Sequence, residues 1–445
     1  TLATRIILGH LTYCVSKLWN VCNYARYNSK EFQSAYDQQK EFKDNFWYKN
    51  LPSQSAQAVI AKLAGAWKSF FSAKKNENLE NPRPPKFKPK THHSTITFKR
   101  NNFKIIDNKI RLTISQQSKE YLKEEHSIES KYLWIDLDKS LSLDGEVKII
   151  EIVPLWDFSF SVHIVVEEET EAKEDTGNVM GIDLGISNLA TISFSNSNDS
   201  FIIDGSQLLS VNRYFDKKIS KLQQINNLQG RRKNTKQINQ LLDKRRRQIK
   251  QILHSASNSI IELADEYEVD TIVIGDLNGI REDANYGKKT NQKLHKWNFS
   301  LFVSYIGYKA KLSSISFVKI PEKYTSQCCL AHLSASQIDK EHAKKSNRKH
   351  RGLYCCNECG AVLNADLNGS LNILKKYLHS VEETLRRGVV ALASPVRLVW
   401  NGHCFSSRTL RNFFSPNSAF NRDGWGDGGC SAKGVSRLTQ SYVSS

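Results

Sequence analysis

No stretch of this 445-residue chain is apolar for the roughly 18 residues that a bilayer crossing needs. No signal peptide is visible in a sequence that begins at Thr1. A disulfide framework is lacking too: of nine cysteines, Cys14, Cys22, Cys404 and Cys430 show no framework spacing, and the other five crowd between 328 and 359. A reducing cytoplasm is the expected setting, with no membrane partner. Acid is also scarce. Asp and Glu number 45 against 64 Lys and Arg, a net charge of +19, which suits a polyanionic partner better than an acidic small molecule. The length is enough for two or three domains, each with its own core.

The crowded cysteines carry the sharpest pattern. Cys329 and His332 stand at C-x2-H spacing, and Cys356 and Cys359 at C-x2-C spacing. Two tight turns, each offering a pair of soft or borderline ligands, are what one tetrahedral zinc ion needs. Cys328 and Cys355 are adjacent candidates, but only Cys329 and Cys356 give the two-residue gap in both halves; His342 and His350 could replace His332. An acid flanks the cluster on each side, Glu322 before it and Asp366 after it.

Residues 10–75 read as helices, with Leu11, Val15, Leu18, Trp19 and Cys22 recurring at helical spacing and Ala56, Val59, Ile60, Leu63, Trp67 and Phe70 forming a second stripe. Cys14 and Cys22 are read as core. The run N-P-R-P-P-K-F-K-P-K from Asn81 is an extended basic linker, either a plain spacer or a strand laid against phosphates through Lys86 and Lys88. From Thr95 to Glu169 the period becomes two, and short strands separated by Asn, Asp and Gly turns predict a small barrel or sandwich. The acidic run from Glu167 to Asp175 reads as a solvated linker.

At Val179 an apolar strand begins that is broken by one carboxylate, Asp183; a buried strand rarely keeps an ionised acid without a metal or a positive partner, although an Asp can also cap the turn. A helical hairpin is expected over 207–267, broken near Gly230. Between Arg231 and Lys250 it carries nine positive charges and one negative, including Arg231, Arg232, Lys233, Lys244, Arg245, Arg246, Arg247 and Lys250. Such a run is commonly a solvated face; in this basic chain it favours a face that tracks phosphates. The strand ending at Gly275-Asp276, a polar loop over 282–296, a helix and the strand I-S-F-V-K-I complete an α/β layer with a ligand site at its carboxyl edge. Beyond about Arg386 periodicity is lost and a mostly disordered tail is expected.

The segments G-I-D-L-G-I-S-N-L-A, K-W-N-F, Y-T-S-Q, R-K-H-R-G-L-Y-C-C-N-E-C-G and N-A-D-L-N-G-S-L-N-I-L resemble the TnpB (OrfB) family of insertion-sequence proteins, relatives of the compact type V CRISPR effectors. The resemblance runs from about Leu11 to Leu374. It implies an α/β multidomain fold: a remnant of the first wedge strand at 1–10, a helical recognition domain at 11–90, a β-barrel wedge domain at 91–170 and a linker at 171–178. An RNase H-like (RuvC) nuclease domain follows at 179–324, with an inserted zinc ribbon at 325–360, its last part at 361–385 and the tail at 386–445. It also implies an RNA-guided DNA endonuclease, often labelled transposase. Its partners would be a guide RNA from the element's own transcript and a double-stranded DNA target, and its location cytoplasmic and nucleoid-associated.

Two departures from the family pattern stand out. His332 occupies a position where the family usually has cysteine, and Gly275-Asp276-Leu277 stands where Glu-Asp-Leu is usual. The chemistry needs carboxylates that hold two magnesium ions, wherever those oxygens originate. The strand ending at Ile320 should lie about 4.8 Å from the strand ending at Gly275, so Glu322 could place its carboxylate where Gly275 has none. Alternation turns Asp276 to the opposite face. The expected catalytic set is therefore Asp183, Glu322 and Asp366. The competing readings are a nuclease-dead RNA-guided DNA binder or repressor, and a transposase accessory protein. No His-x-His plus tyrosine arrangement supports strand transfer by this chain.

Overall fold

A computed structural model describes residues 1–29, 33–75, 81–138, 141, 143, 145–170, 176–231, 234–277, 287–350, 352–380 and 395–407. The chain separates into two compact units, the first holding Thr1–Glu169 and the second Thr170–Ala432. Among the described residues no helix is long and apolar enough to cross a membrane.

The first unit opens with helix α1, Leu2–Asn28, whose N-terminus is capped by the Thr1 hydroxyl accepting from the Thr4 N–H. Residues 1–10 are thus not a strand remnant. Ile7, Leu8 and Leu11 continue the buried stripe of Val15, Leu18 and Cys22, and one amphipathic period across the segment favours one helix. Helices α2 (Ala35–Glu41), α3 (Phe46–Lys49) and α4 (Ser53–Lys75) follow, and α1 packs on α4 through Val59, Ile60, Leu63 and Trp67. Burial pushes the thiols of Cys14 and Cys22 up to about 12, as suits core packing.

The second half of this unit is built of β1 (Ile96–Lys99), β2 (Phe103–Ile106), β3 (Lys109–Thr113), helix α5 (Gln116–His126), β4 (Tyr132–Asp136), β5 (Glu146–Pro154) and β6 (Phe160–Glu167). The described strands pair as two antiparallel three-stranded sheets, β1-β5-β6 and β2-β3-β4. They do not close into one barrel, because the turn at Arg100–Asn102 hands the chain from one sheet to the other. Their inner residues, among them Phe98, Ile110, Leu112 and Ile150, share a core with the helices.

The second unit is organised on a seven-stranded sheet of order β11-β10-β7-β8-β9-β15-β16. Its strands are β7 (Val179–Leu184), β8 (Asn188–Phe194), β9 (Ser200–Asp204), β10 (Thr271–Asp276), β11 (Ser316–Pro321), β15 (Val396–Trp400) and β16 (Phe405–Ser407). Between them lie the hairpin α6 (Ser206–Leu228) and α7 (Lys236–Glu266), then α8 (Lys288–Lys296), α9 (Phe299–Leu312), the short strands β12 (Arg348–His350), β13 (Leu353–Cys355) and β14 (Val362–Asn364), and α10 (Ala365–Ser380). The expected polar loop falls partly outside the described residues, and 288–296 of it is helical. Of the expected linker, 171–175 lies outside them; at its end Asp270 accepts from the N–H groups of Thr176 (2.8 Å) and Asn178 (3.1 Å).

The tail is not uniformly without structure: β15 pairs in parallel with β9, and β16 folds back on it. The run V-R-L-V-W is short but strongly β-forming, and β9 offers it an open edge. Sheet faces follow strict alternation. Met180, Ile182, Leu184, Ile272 and Ile274 face the core shared with α6, α7 and α9, whereas Val179 and Val273 face the core of α10. Asp183, Gly181 and Gly275 therefore lie on the α10 side, and a Cβ on Gly181 would stand 2.7 Å from the Ser370 carbonyl oxygen.

Candidate functional site

Parallel strands β7, β10 and β11 bring three chain segments to one carboxyl edge. Asp183 comes from the end of β7. Val318 and Ile320 face the α10 core, and Glu322, two residues on, continues that face. In register, Gly275 lies opposite Ile320. A Cβ built on Gly275 would lie within 2.7–3.1 Å of Oε2, Cγ and Cβ of Glu322. The Glu322 side chain thus fills the volume that a residue 275 side chain would occupy. Oε2 of Glu322 is buried without a hydrogen-bond partner among the described residues.

Asp183 leans on helix α10, where a Cβ at Gly369 would stand 2.8 Å from its Oδ2. Desolvation, then the charges of Glu322 and Asp366, raise the Asp183 carboxyl well above its usual range, with Arg348 acting in the opposite sense. Desolvation followed by the charge of Asp276 pushes Glu322 up to about 7. Asp276 therefore acts on the site electrostatically although alternation turns its side chain away.

Asp366 opens α10. Asn364 caps the helix, its Oδ1 accepting from the N–H groups of Asp366 (3.0 Å) and Leu367 (3.2 Å). The Asn188 amide donates to Asp366 Oδ2 at 2.7 Å, and Arg348 Nη2 lies 3.6 Å from Oδ1. These three supporting residues were not anticipated from the sequence, which carries no local signal that Asn188 and Arg348 converge on residue 366.

The ligand atoms of Cys329, His332, Cys356 and Cys359 lie within 4.8 Å of one another. Two edges are 3.6 Å (Cys329 Sγ to Cys359 Sγ) and 3.7 Å (Cys356 Sγ to His332 Nδ1). A tetrahedral ion with bonds of about 2.0–2.3 Å would give edges of about 3.5 Å between nitrogen and sulfur and about 3.8 Å between sulfurs, so this donor set could hold a metal. Nε2 of His332 meets Glu358 at 2.7 Å, which leaves Nδ1 facing the thiols; Glu358 also pairs with Lys344. Burial pushes Cys329 up to about 12, whereas at Cys356 burial is outweighed by the Cys359 and Glu358 N–H groups, which hold its thiol low. Cys328 instead points at the Asp339 carbonyl oxygen, 3.6 Å away, and His342 pairs with the Asp339 carboxylate.

The basic residues divide. Arg231, Lys244, Arg247 and Lys250 are exposed, and Arg246 is exposed beside Asp243 at 2.9 Å. Arg245 is turned inward: its guanidinium donates to Asn212 (2.7 Å) and meets Asp216 (3.3 Å), which Lys296 also engages. It braces α6 against α7. Arg232 and Lys233 lie outside the described residues.

In the first unit, the linker carrying Lys86 and Lys88 is pinned along α1. Asn20 donates to the Lys88 carbonyl (2.9 Å) and accepts from its N–H (2.7 Å), Trp19 donates to the Lys86 carbonyl (3.1 Å), and Asn23 to the Pro85 carbonyl (3.0 Å). Lys86 is exposed and Lys88 lies 4.9 Å over the Trp19 ring.

A family profile described as OrfB_IS605, probable transposase, matches residues 163–281, and one described as Cas12f1-like, TNB domain, matches 299–373. TnpB-like protein ORF457 of Acidianus two-tailed virus is 24% identical over 411 residues, covering 85% of this chain and 85% of that protein. Over these stretches the chain is similar to TnpB-like proteins and their type V relatives. The CRISPR-associated endodeoxyribonuclease Cas12f1 of Sulfoacidibacillus thermotolerans is 29% identical to this chain over 206 residues, 45% of the chain and 46% of that protein. The match thus spans less than half of that protein. Among solved structures, a complex of Cas12f1 with sgRNA and target DNA aligns over 82% of this chain and 93% of that chain, at 18% identity and TM-score 0.34.

Proposed function

We propose that this chain is an RNA-guided DNA endonuclease of the TnpB family, with a RuvC-type site in which Glu322 replaces the carboxylate absent at Gly275. The observation that carries the reading is the unpartnered Oε2 of Glu322, buried beside Gly275 and close enough to Asp183 to raise its carboxyl. A carboxylate held away from water without a donor is costly, and a cation is the partner that best offsets that cost. Asp183, Glu322 and Asp366 would hold two magnesium ions, which when bound supply positive charge for the attacking and leaving oxygens of phosphodiester hydrolysis.

The chain's own residues prepare that site. The Asn364 cap fixes the start of α10, Asn188 ties down one oxygen of Asp366, and Gly369 lets Asp183 approach the helix. The Cys329, His332, Cys356 and Cys359 donor set suits one structural zinc in a ribbon inserted between β11 and α10, whose Arg348 reaches Asp366. Lys86 and Lys88 on the pinned linker of the first unit, and separately Arg231, Lys244, Arg246, Arg247 and Lys250 on the hairpin of the second, are assigned to nucleic acid. The guide is an RNA from the element's own transcript and the target is double-stranded DNA, engaged by the helical and wedge segments at 11–90 and 91–170 together with the nuclease domain. A nuclease-dead binder is the poorer reading, because nothing in DNA binding alone requires a desolvated acid cluster.

The test is guide-directed cleavage by the chain purified with its copurifying RNA. The parent should cut matched DNA with magnesium and not with a chelator. Glu322→Gln, Asp183→Asn and Asp366→Asn should bind RNA and target but not cut. Cutting by Glu322→Gln at the parent's rate would overturn the relocation; a parent that binds its target yet never cuts would overturn the nuclease.

A further inference from the structure

Strand β15 lies beyond residue 373, where the matched profiles end, and it sets Arg397 opposite Ile202 of β9. Nη1 of Arg397 donates to Asp204 Oδ2 at 2.6 Å and to Asn188 Oδ1 at 3.2 Å. The same Asn188 amide donates from Nδ2 to Asp366 Oδ2 at 2.7 Å. Burial opposes ionisation of Asp204, but the Ser206 side chain and N–H and the Arg397 guanidinium together hold its carboxyl below the usual range. Asp204, Arg397, Asn188 and Asp366 thus form one continuous polar chain across the sheet.

The direction of that chain matters. A primary amide can present either its oxygen or its NH2 group to a neighbour, and the two orientations differ only by a flip. A guanidinium has donors alone, so Arg397 accepts one orientation: Oδ1 toward itself and Nδ2 toward Asp366. Without Arg397, the flipped amide would set its lone pairs against the Asp366 carboxylate. The Asn188 backbone is already placed by its pairing with Asp204, so the amide flip is the freedom left to fix.

We propose that Arg397 is a positioning residue for Asp366, acting through the Asn188 amide, and that β15 is consequently part of the metal-holding site. This rests on the reading of Asp366 as a metal-holding acid. With Oδ2 tied by the amide, Asp366 presents Oδ1 in a fixed direction.

The test is a double-mutant cycle on the full, zinc-loaded chain with manganese(II) alone as probe, read by electron paramagnetic resonance, and in parallel by guide-directed cleavage. Arg397→Met and Asn188→Ala should each weaken manganese binding by roughly tenfold or more, the range seen when supporting partners of metal ligands are removed. The double variant should be no worse than Asn188→Ala, since the guanidinium acts only through the amide. Arg397→Lys, which still donates, should recover part of the loss, and Asp204→Asn should weaken binding without touching Asn188. Losses that add in the double variant, or manganese binding unchanged in Arg397→Met, would overturn the proposal. A parent that binds no manganese would also overturn it. A parent that binds manganese but does not cut would defeat the nuclease reading alone, and the cycle read in manganese binding would still decide this one.

Discussion

Glu322 and Gly275 compete for one volume: a Cβ on Gly275 would stand 2.7 Å from Glu322 Oε2 and 3.0 Å from its Cγ. Their strands are parallel neighbours, so a carboxylate can enter that volume from either. Gly275→Glu in the parent should therefore lower the melting temperature, because two side chains cannot share the space. Gly275→Glu combined with Glu322→Ala should regain much of that loss. Melting curves of the single and paired variants check it; an equal loss in both would show that the collision is not the cause.

Metal analysis of purified protein should find one zinc per chain. Cys356→Ser should empty the site and open 329–359 to protease, because a structural metal and its local fold are coupled. His332→Cys should keep the metal, since a thiolate also ligates zinc. Glu358→Gln, which weakens the carboxylate behind His332, should lower affinity by roughly tenfold in competition with a chelator.

The hairpin's cations should separate in salt titrations. Replacing Lys244, Arg247 and Lys250 with Ala should flatten the slope of log K for RNA against log salt by about 0.7–0.9 for each phosphate that is no longer neutralised. Arg245→Ala should leave that slope unchanged and lower thermal stability instead, as it strips a partner from Asp216 and Asn212. A slope change on Arg245→Ala would return that residue to the binding face.

Lys309 predicts a pH dependence. Its Nζ is buried between α7 and α9 and donates to the His254 carbonyl (2.7 Å), Ser257 (2.6 Å) and Asn258 (2.5 Å). Burial, only partly offset by Glu262, pushes its ammonium from 10.5 down to about 8. The folded chain releases this proton first, so between about pH 8 and 10.5 the unfolded chain binds more protons and stability gains from rising pH. Below that window the contribution is constant. Denaturant unfolding of the parent and Lys309→Met across pH 7–11 checks it: the stability difference should shift in the parent's favour as pH rises. A flat difference would mean that the hydrogen bonds keep the ammonium at its ordinary value.

Much of the fold was legible because burial imposes a period. The strands near 96–113 and 132–167 and the hairpin α6–α7 announce themselves through alternation or a helical stripe. Helix α5 was not seen, since Q-Q-S-K-E-Y-L-K-E-E-H has little apolar signal and depends on the Ser115 cap and one buried Leu122. Strand β15 was missed because five residues of pattern are lost amid a polar, glycine-rich tail. The site was legible where chemistry is tied to spacing, as in C-x2-H and C-x2-C. It was not legible where charge alone was counted: Arg245 and Arg247 read alike in sequence, and only packing turns one inward. Nor could spacing reveal that Asn188 meets Asp366, because the two are 178 residues apart.

The parallel pairing of β9 with β15 has a consequence for synthesis. Asp204 and Arg397 are 193 residues apart, so the strand that closes this side of the sheet leaves the ribosome long after β7, β8 and β9. Asp183 is exposed to the cell first, Glu322 later and Asp366 later still, each without the others' support until its own segment is made. A growing chain therefore lacks the assembled acid cluster for most of its translation, and the proposed site is completed only when nearly the whole of the described chain has emerged.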